Sequence, residues 1–117
     1  MNKPLQILAE KYVQMQESSE STKRTDEYGN ESWYNSKGEF HRTDGPAVEW
    51  LDGGNEWWIN GKRHRLDGPA IECADGDLCW FIDDKMYTKK QFKEYLKALK
   101  ARQDILNKDN PGIEMDI

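Results

Sequence analysis

The sequence predicts an α+β fold: an antiparallel β-meander of about six strands, flanked by an N-terminal helix and a C-terminal amphipathic helix. Three features of the 117-residue chain carry this prediction. They are a duplicated block near the middle, short aromatic strand patterns joined by turn signals, and helical apolar spacing towards both ends. A chain of this length predicts one domain with a single modest core.

The duplicated block begins at Phe40 and returns 23 positions later at Arg63. Its shared signature is His-Arg-x-Asp-Gly-Pro-Ala, and both histidines of the protein, His41 and His64, occupy the same place in it. A period of this length fits one two-stranded unit, so the repetition indicates a series of similar hairpins. A third, incomplete copy follows, in which Tyr87 stands where a histidine would be.

The second unit shows the predicted course of a repeat. Residues 56–59 alternate like a strand, Asn60-Gly61 predicts a two-residue type I′ turn, and residues 62–65 return. The Asp-Gly-Pro segment then turns the chain into the next strand at residues 70–74. The first unit repeats this pattern, and the third leads into a helix for which Thr88 is a suitable N-cap.

Apolar spacing and composition divide the chain into five predicted segments. Leu5, Leu8 and Tyr12 recur at helical spacing, whereas the stretch before Tyr28 has no apolar side chain and predicts a polar linker. The segments are an N-terminal helix at 1–17, a linker at 18–27, the repeat β-sheet at 28–87, a capping helix at 88–108 and a tail at 109–117.

Charge and hydropathy restrict the function classes. Residues 28–87 carry 6 basic and 12 acidic residues, which argues against nucleic acid lying across the repeats. No apolar run reaches the roughly 18 residues of a membrane span, and the N-terminus lacks the apolar stretch of a signal peptide. We therefore expect a cytoplasmic protein with no membrane contact, in which Cys73 and Cys79 are reduced, buried thiols in strands.

The repeated signature predicts a turn-building motif. Each Asp can accept hydrogen bonds from turn amides, each Gly can supply a positive φ, and each Pro fixes the exit into the next strand. Each Arg, two residues before the Asp, can form an ion pair with it. The residues assigned to this structural role are His41, Arg42, Asp44, Gly45, Pro46, His64, Arg65, Asp67, Gly68 and Pro69.

Two chemical interpretations of the same residues compete with this turn-building role. His41 and His64 could form an acid–base pair in a metal-free nuclease, but strands two apart in a meander are separated by roughly 9–10 Å. A zinc site from both histidines with Cys73 and Cys79 lacks the usual ligand spacing. The prediction is therefore no catalytic residue, no metal and no cofactor.

Binding is the function class that the sequence favours. Six sheet aromatics are predicted to meet a protein partner on whichever face is free: Trp33, Tyr34, Trp57, Trp58, Trp80 and Phe81. The alternative is a nucleic-acid contact through a stripe of lysines on the C-terminal helix: Lys90, Lys93, Lys97 and Lys100. An exposed sheet face or edge would also permit a homodimer.

The two His-Arg-x-Asp-Gly-Pro-Ala units, each after an aromatic strand and an Asn-Gly-like turn, resemble a repeat found in small proteins of large tailed bacteriophages and of giant viruses. They are loosely similar to MORN repeats. The resemblance covers about residues 28–96 and brings no defined activity. It implies a viral accessory protein that binds a host or phage protein, inhibiting or modulating a defence or regulatory factor in the host cytoplasm.

Overall fold

A computed structural model describes residues 20–108 of the chain, which form a mostly antiparallel β-structure followed by one helix. Nine short strands precede the helix, α1 (Lys89–Lys108). The strands are β1 (Thr22–Thr25), β2 (Glu31–Tyr34), β3 (Val48–Glu49), β4 (Asn55–Glu56), β5 (Trp58–Ile59), β6 (Lys62–Arg63), β7 (Ile71–Glu72), β8 (Leu78–Ile82) and β9 (Lys85–Tyr87).

Seven strands form one sheet in the order β1-β2-β3-β4-β7-β8-β9, and β5 and β6 form a separate hairpin. The predicted antiparallel pairing is confirmed. The predicted single meander of about six strands is wrong, because the strands are divided between a seven-stranded sheet and a two-stranded hairpin. At Trp57 the extended segment β4–β5 changes partners: Glu56 pairs with β3 and β7, whereas Trp58 pairs with β6. Strand β8 changes partners in the same way, pairing first with β7 and then with β9. The second and third units therefore each contain an extended segment that pairs with the preceding strand of the sheet at its start and with its own hairpin partner at its end.

Strand β1 lies within the segment predicted to be a polar linker. All four of its residues pair with β2, from Thr22 with Tyr34 to Thr25 with Glu31. Its side chains are exposed, and it is held at the edge of the sheet by backbone hydrogen bonds. Such a strand needs no apolar residues, so the sequence pattern did not reveal it. The predicted helix at 1–17 and the tail at 109–117 lie outside the described residues.

Two kinds of turn join the strands. Asn60-Gly61 has φ values of 48° and 80°, so the predicted type I′ turn is confirmed, and Asp83-Asp84 also has positive φ at both positions, 50° and 69°. The other hairpin turns place a glycine in the left-handed region after a side chain that accepts turn amides. One example is Asn35, whose Oδ1 accepts from Lys37 N and Glu39 N at 2.9 Å each, ahead of Gly38.

A row of alternating large and small side chains runs across the sheet. Continuing the register by one residue places Trp33, Ala47, Trp57, Ala70 and Trp80 side by side on one face. Both alanines are completely buried. Among the described residues the other buried apolar side chains are Val48, Phe81, Ile82 and Phe92.

Helix α1 begins with a reciprocal cap. Thr88 Oγ1 accepts from Gln91 N at 3.1 Å, and Gln91 Oε1 accepts from Thr88 N at 3.0 Å, as in a capping box. The first turns of the helix then pack on β8 and β9. Phe92 is buried with its ring centroid 6.5 Å from that of Trp80. Within residues 20–108, no helix is long and apolar enough to cross a membrane.

Candidate functional site

Arg42 organises the first His-Arg-x-Asp-Gly-Pro-Ala loop. Its Nε donates to Asp44 Oδ1 at 2.9 Å, and its Nη1 donates to Pro46 O at 3.1 Å and to Glu49 Oε2 at 3.2 Å. The guanidinium carbon lies 3.8 Å from the ring centroid of Trp33. The arginine therefore ties the loop to the sheet through two carboxylates, a carbonyl and an aromatic face.

Arg65 makes the same contacts in the second loop. Its Nε donates to Asp67 at 2.8 Å, and its Nη1 donates to Pro69 O at 3.0 Å and to Glu72 at 3.2 Å. Its guanidinium carbon lies 3.7 Å from the ring centroid of Trp57. We call each of these arrangements an arginine clamp, and the two clamps share one geometry.

The glycine of each loop has a different role from the one predicted. Gly45 and Gly68 are not among the residues with positive φ, so the expected left-handed conformation is wrong for both. A Cβ added at Gly45 would lie 3.0 Å from Arg42 Cζ, and one added at Gly68 would lie 2.8 Å from Arg65 Cζ. A Cβ at either position would therefore displace the guanidinium, which passes close to the glycine backbone.

The two buried histidines connect each loop to the following hairpin. His41 Nδ1 accepts from Asn60 N at 2.9 Å, and His64 Nδ1 accepts from Asp83 N at 3.0 Å. A ring nitrogen that accepts carries no proton, so this bond holds each imidazole in the neutral Nε2–H form. Burial lowers the pKa of His41, and the nearby Glu39 carboxylate opposes this only in part.

This geometry bears on both chemical interpretations. A two-histidine mechanism needs a ring nitrogen of each imidazole at one substrate atom, but each Nδ1 accepts from a backbone amide and each Nε2 is buried away from solvent. Among residues 20–108, no group of three or more His, Cys, Asp or Glu side chains is placed to hold a metal ion. Cys73 is exposed and Cys79 is half-buried, so the expectation of two buried thiols is wrong for Cys73.

The six aromatics predicted to bind a partner are divided between the two faces of the sheet. Trp33, Trp57 and Trp80 share one face through the register described above, and their neighbours Tyr34, Trp58 and Phe81 face the other side. Phe81 is only 5% exposed, so its side chain offers almost no surface to a partner. The other five are half-buried.

Arginine side chains also cover the second group of aromatics. The Arg63 guanidinium carbon lies 4.2 Å from the ring centroid of Phe81 and 5.7 Å from that of Trp58. Arg24 is placed similarly, 5.1 Å from the ring centroid of Tyr34. The strand aromatics therefore form ordered stacks within the chain instead of a bare apolar face.

Four exposed, large apolar side chains lie instead at one end of the sheet, whereas Met86 in β9 and Ile105 in α1 are exposed elsewhere. Tyr28 is 74% exposed, Leu51 65%, Trp50 45% and Leu78 46%. Tyr28 lies in the hairpin turn at 26–30, Trp50 and Leu51 lie in the turn at 50–54, and Leu78 is the first residue of β8, directly after a third turn at 73–77. Because β2 pairs with β3 and β4 pairs with β7, these turns lie in one row. We call this surface, the three turns with Leu78, the turn end.

Local contacts hold the turn end in place. Leu51 N donates to Asn30 Oδ1 at 2.7 Å, and a Cβ added at Gly29 would lie 2.6 Å from Leu51 Cδ1. The ring of Trp50 is fixed because its Nε1 donates to Glu56 Oε2 at 2.7 Å. The first two turns are therefore packed together. Sequence reasoning missed this surface because it assigned aromatic residues in turns no role; the signal was Tyr28, Trp50 and Leu51 beside turn-forming Asp and Gly residues.

A groove of about 560 Å³ lies between the two arginine-clamp loops. Its walls are residues 42–45 and 64–67, and Trp57 and Ile59 lie between them. A second depression, of about 580 Å³, lies on the lysine-rich face of α1 and includes Lys90, Lys93 and Lys97. Lys100 is exposed further along the helix.

Comparison of the chain with protein-family models, with curated proteins and with solved structures finds no match.

Proposed function

We propose that this protein is a non-enzymatic protein-binding module whose contact surface is the turn end. The observation that carries the proposal is that four large, exposed apolar side chains lie at one end of the sheet: Tyr28, Trp50 and Leu51 in two turns, and Leu78 at the start of β8. Apolar patches of this kind mark interaction sites, and Trp and Tyr are the residue types that dominate binding energy at protein interfaces.

The rigidity of the turns supports the same proposal. Asp26 Oδ1 accepts from Tyr28 N and from Asn30 N at 2.9 Å each, so the first turn is internally bonded. The ring of Trp50 is held by Glu56, and the backbone of Leu51 by Asn30. Turns whose backbone is ordered before binding lose little conformational entropy when a partner arrives, which favours affinity.

In this proposal the 23-residue repeat is a scaffold that sets the spacing of the turns, and binding acts by occlusion. The resemblance to viral repeat proteins extends the proposal to an accessory protein that inhibits or modulates a host or phage protein in the cytoplasm. The six strand aromatics then act mainly in holding the sheet together.

The test compares two doubly substituted variants in quantitative affinity purification from the native host. Leu51→Asp with Leu78→Asp places charge in the turn end, and Met86→Asp with Ile105→Asp does the same at equally exposed apolar side chains elsewhere. We expect a partner recovered by the wild type to be lost from the first variant and retained by the second.

Circular dichroism of both variants verifies that each remains folded. Recovery of the same partner by the turn-end variant would contradict the proposal. So would equal loss from the two variants, because the contact would then not be specific to this surface.

A further inference from the structure

Building on the proposed function, we infer that the turn end binds a cationic amphipathic segment, a stretch of a partner protein that presents Lys or Arg beside apolar side chains. The exposed apolar residues supply one half of this inference. The charge distribution around them supplies the other half and selects the chemistry of the partner.

The three turns are uniformly acidic. Residues 26–30, 50–54 and 73–77 contain five carboxylates and neither Lys nor Arg: Asp26, Glu27, Asp52, Asp75 and Asp77. Of the nearby cations, Arg24 lies 5.1 Å from the ring centroid of Tyr34, and three others are paired with acids. Lys23 lies 3.0 Å from Glu31, and the two clamp arginines lie 3.2 Å from Glu49 and Glu72.

Three of the acidic residues are each next to an exposed apolar residue in the sequence. Glu27 precedes Tyr28, Asp52 follows Leu51, and Asp77 precedes Leu78. A partner that covers the apolar residues must therefore come within a few ångströms of the carboxylates. Leaving such charges unpaired in an interface is costly, so an apolar segment with interspersed cations is the matching chemistry.

Two turn carboxylates are fixed in position by the backbone. Asp52 Oδ1 accepts from Gly54 N, and Asp75 Oδ1 accepts from Asp77 N, each at 3.0 Å. A bond of this kind occupies one oxygen and leaves the other for a partner. Asparagine keeps the same Oδ1 acceptor, so Asp→Asn substitution removes charge while preserving the turn.

The experiment measures binding of labelled peptides to the full chain by fluorescence anisotropy. The probe is an amphipathic Leu/Lys helix, and its counterpart has every Lys replaced by Glu. We expect the cationic peptide alone to bind, with affinity falling at least roughly tenfold as ionic strength rises from about 0.05 to 0.5 M.

A matched pair of variants locates the charges. Asp75→Asn with Asp77→Asn removes two charges from the turn end, and Glu94→Gln with Asp104→Asn removes two exposed charges from α1. We expect the first to weaken binding of the cationic peptide by roughly three- to tenfold, because surface charge pairs each contribute well under a factor of ten. The second should change it by less than about twofold.

The outcomes separate this inference from the proposed function. Binding of both peptides, of neither, or without any difference between the two charge variants overturns the inference. If, in addition, Leu51→Asp with Leu78→Asp still recovers the host partner, the proposed function fails as well; if that variant loses it, the function stands and only the charge argument fails. Concentration-dependent self-association, abolished by Asp75→Asn with Asp77→Asn, would replace the partner by a second copy and also overturn the inference.

Discussion

The first two repeat units and the third differ in what covers the tryptophan of the sheet. In the first two, a clamp arginine from the following loop lies over Trp33 or Trp57. In the third, Phe92 of α1 lies against Trp80 instead. The equivalent tryptophan of each unit can thus be covered by a guanidinium from a loop or by an apolar ring from a helix. After each clamp loop the chain continues into another strand of the sheet, whereas no strand follows α1 within the described residues.

Replacing the ring that covers the third tryptophan gives the largest expected effect. Phe92→Ala should lower the free energy of unfolding by about 3–5 kcal/mol, because Phe92 is buried and its removal leaves a cavity against Trp80. Urea unfolding followed by tryptophan fluorescence measures this. Ile105→Ala, at an exposed position of the same helix, should change stability by less than about 0.5 kcal/mol. Similar losses in both variants would show that α1 does not act as the cover of the third unit.

Removing an arginine clamp should cost less, and equally in the two loops. Arg42→Met and Arg65→Met each lose two carboxylate contacts and one carbonyl contact. We expect each to lose roughly 2 kcal/mol of unfolding free energy, measured by urea titration, because most of these bonds involve charged groups. Lys37→Met, at an exposed hairpin tip, serves as the control. A difference of more than about 1 kcal/mol between the two clamps would break their equivalence.

The close approach of guanidinium and glycine predicts a smaller, coupled effect. Gly68→Ala should lose roughly 1 kcal/mol, because its Cβ would lie 2.8 Å from Arg65 Cζ and displace the guanidinium. In an Arg65→Met background the same substitution should be nearly neutral. Thermal unfolding of the four proteins in this double-mutant cycle measures the coupling. Additive losses would mean that the glycine has a role independent of the clamp.

Acid should weaken the first two units through His41. The lowered pKa belongs to the folded state, so at a pH below the ordinary value of 6.5 the unfolded chain takes up a proton that the folded chain resists. Stability from this group is complete above that pH and falls below it by at most about 1.4 kcal/mol per pH unit. His41→Asn should flatten the dependence, as measured by urea unfolding between pH 7 and 5. If the unfolding free energy of this variant falls with pH as steeply as that of the wild type, the acid sensitivity comes from groups other than His41.

Local chemistry determined how much of this fold the sequence could predict. The type I′ turn at Asn60-Gly61 and the cap at Thr88 depend on one or two residue types at fixed spacing, so both are visible in the sequence. Strand β1 is not, because its side chains are exposed and its backbone pairing leaves no apolar pattern. The change of partners at Trp57 depends on tertiary pairing and likewise has no local signal.

The candidate site was predicted less well than the turns. Aromatic content drew attention to strand residues such as Phe81, but side-chain burial is decided by what packs above the sheet, here Arg63. Leu51 and Tyr28 were overlooked because single apolar residues in turns are ordinary on protein surfaces. Their significance comes from strand order, which brings separate turns into one row.

The histidine bonds run in one direction along the chain, from His41 forward to Asn60 and from His64 forward to Asp83. Each of the first two units therefore depends on its successor for the backbone amide that donates to its buried histidine Nδ1, and the final unit has Tyr87 at this position. The series of repeat units therefore has a direction, from the N-terminal unit to the C-terminal one. A gene encoding it could lengthen by inserting whole copies upstream of the terminal unit, but not by appending them after the helix.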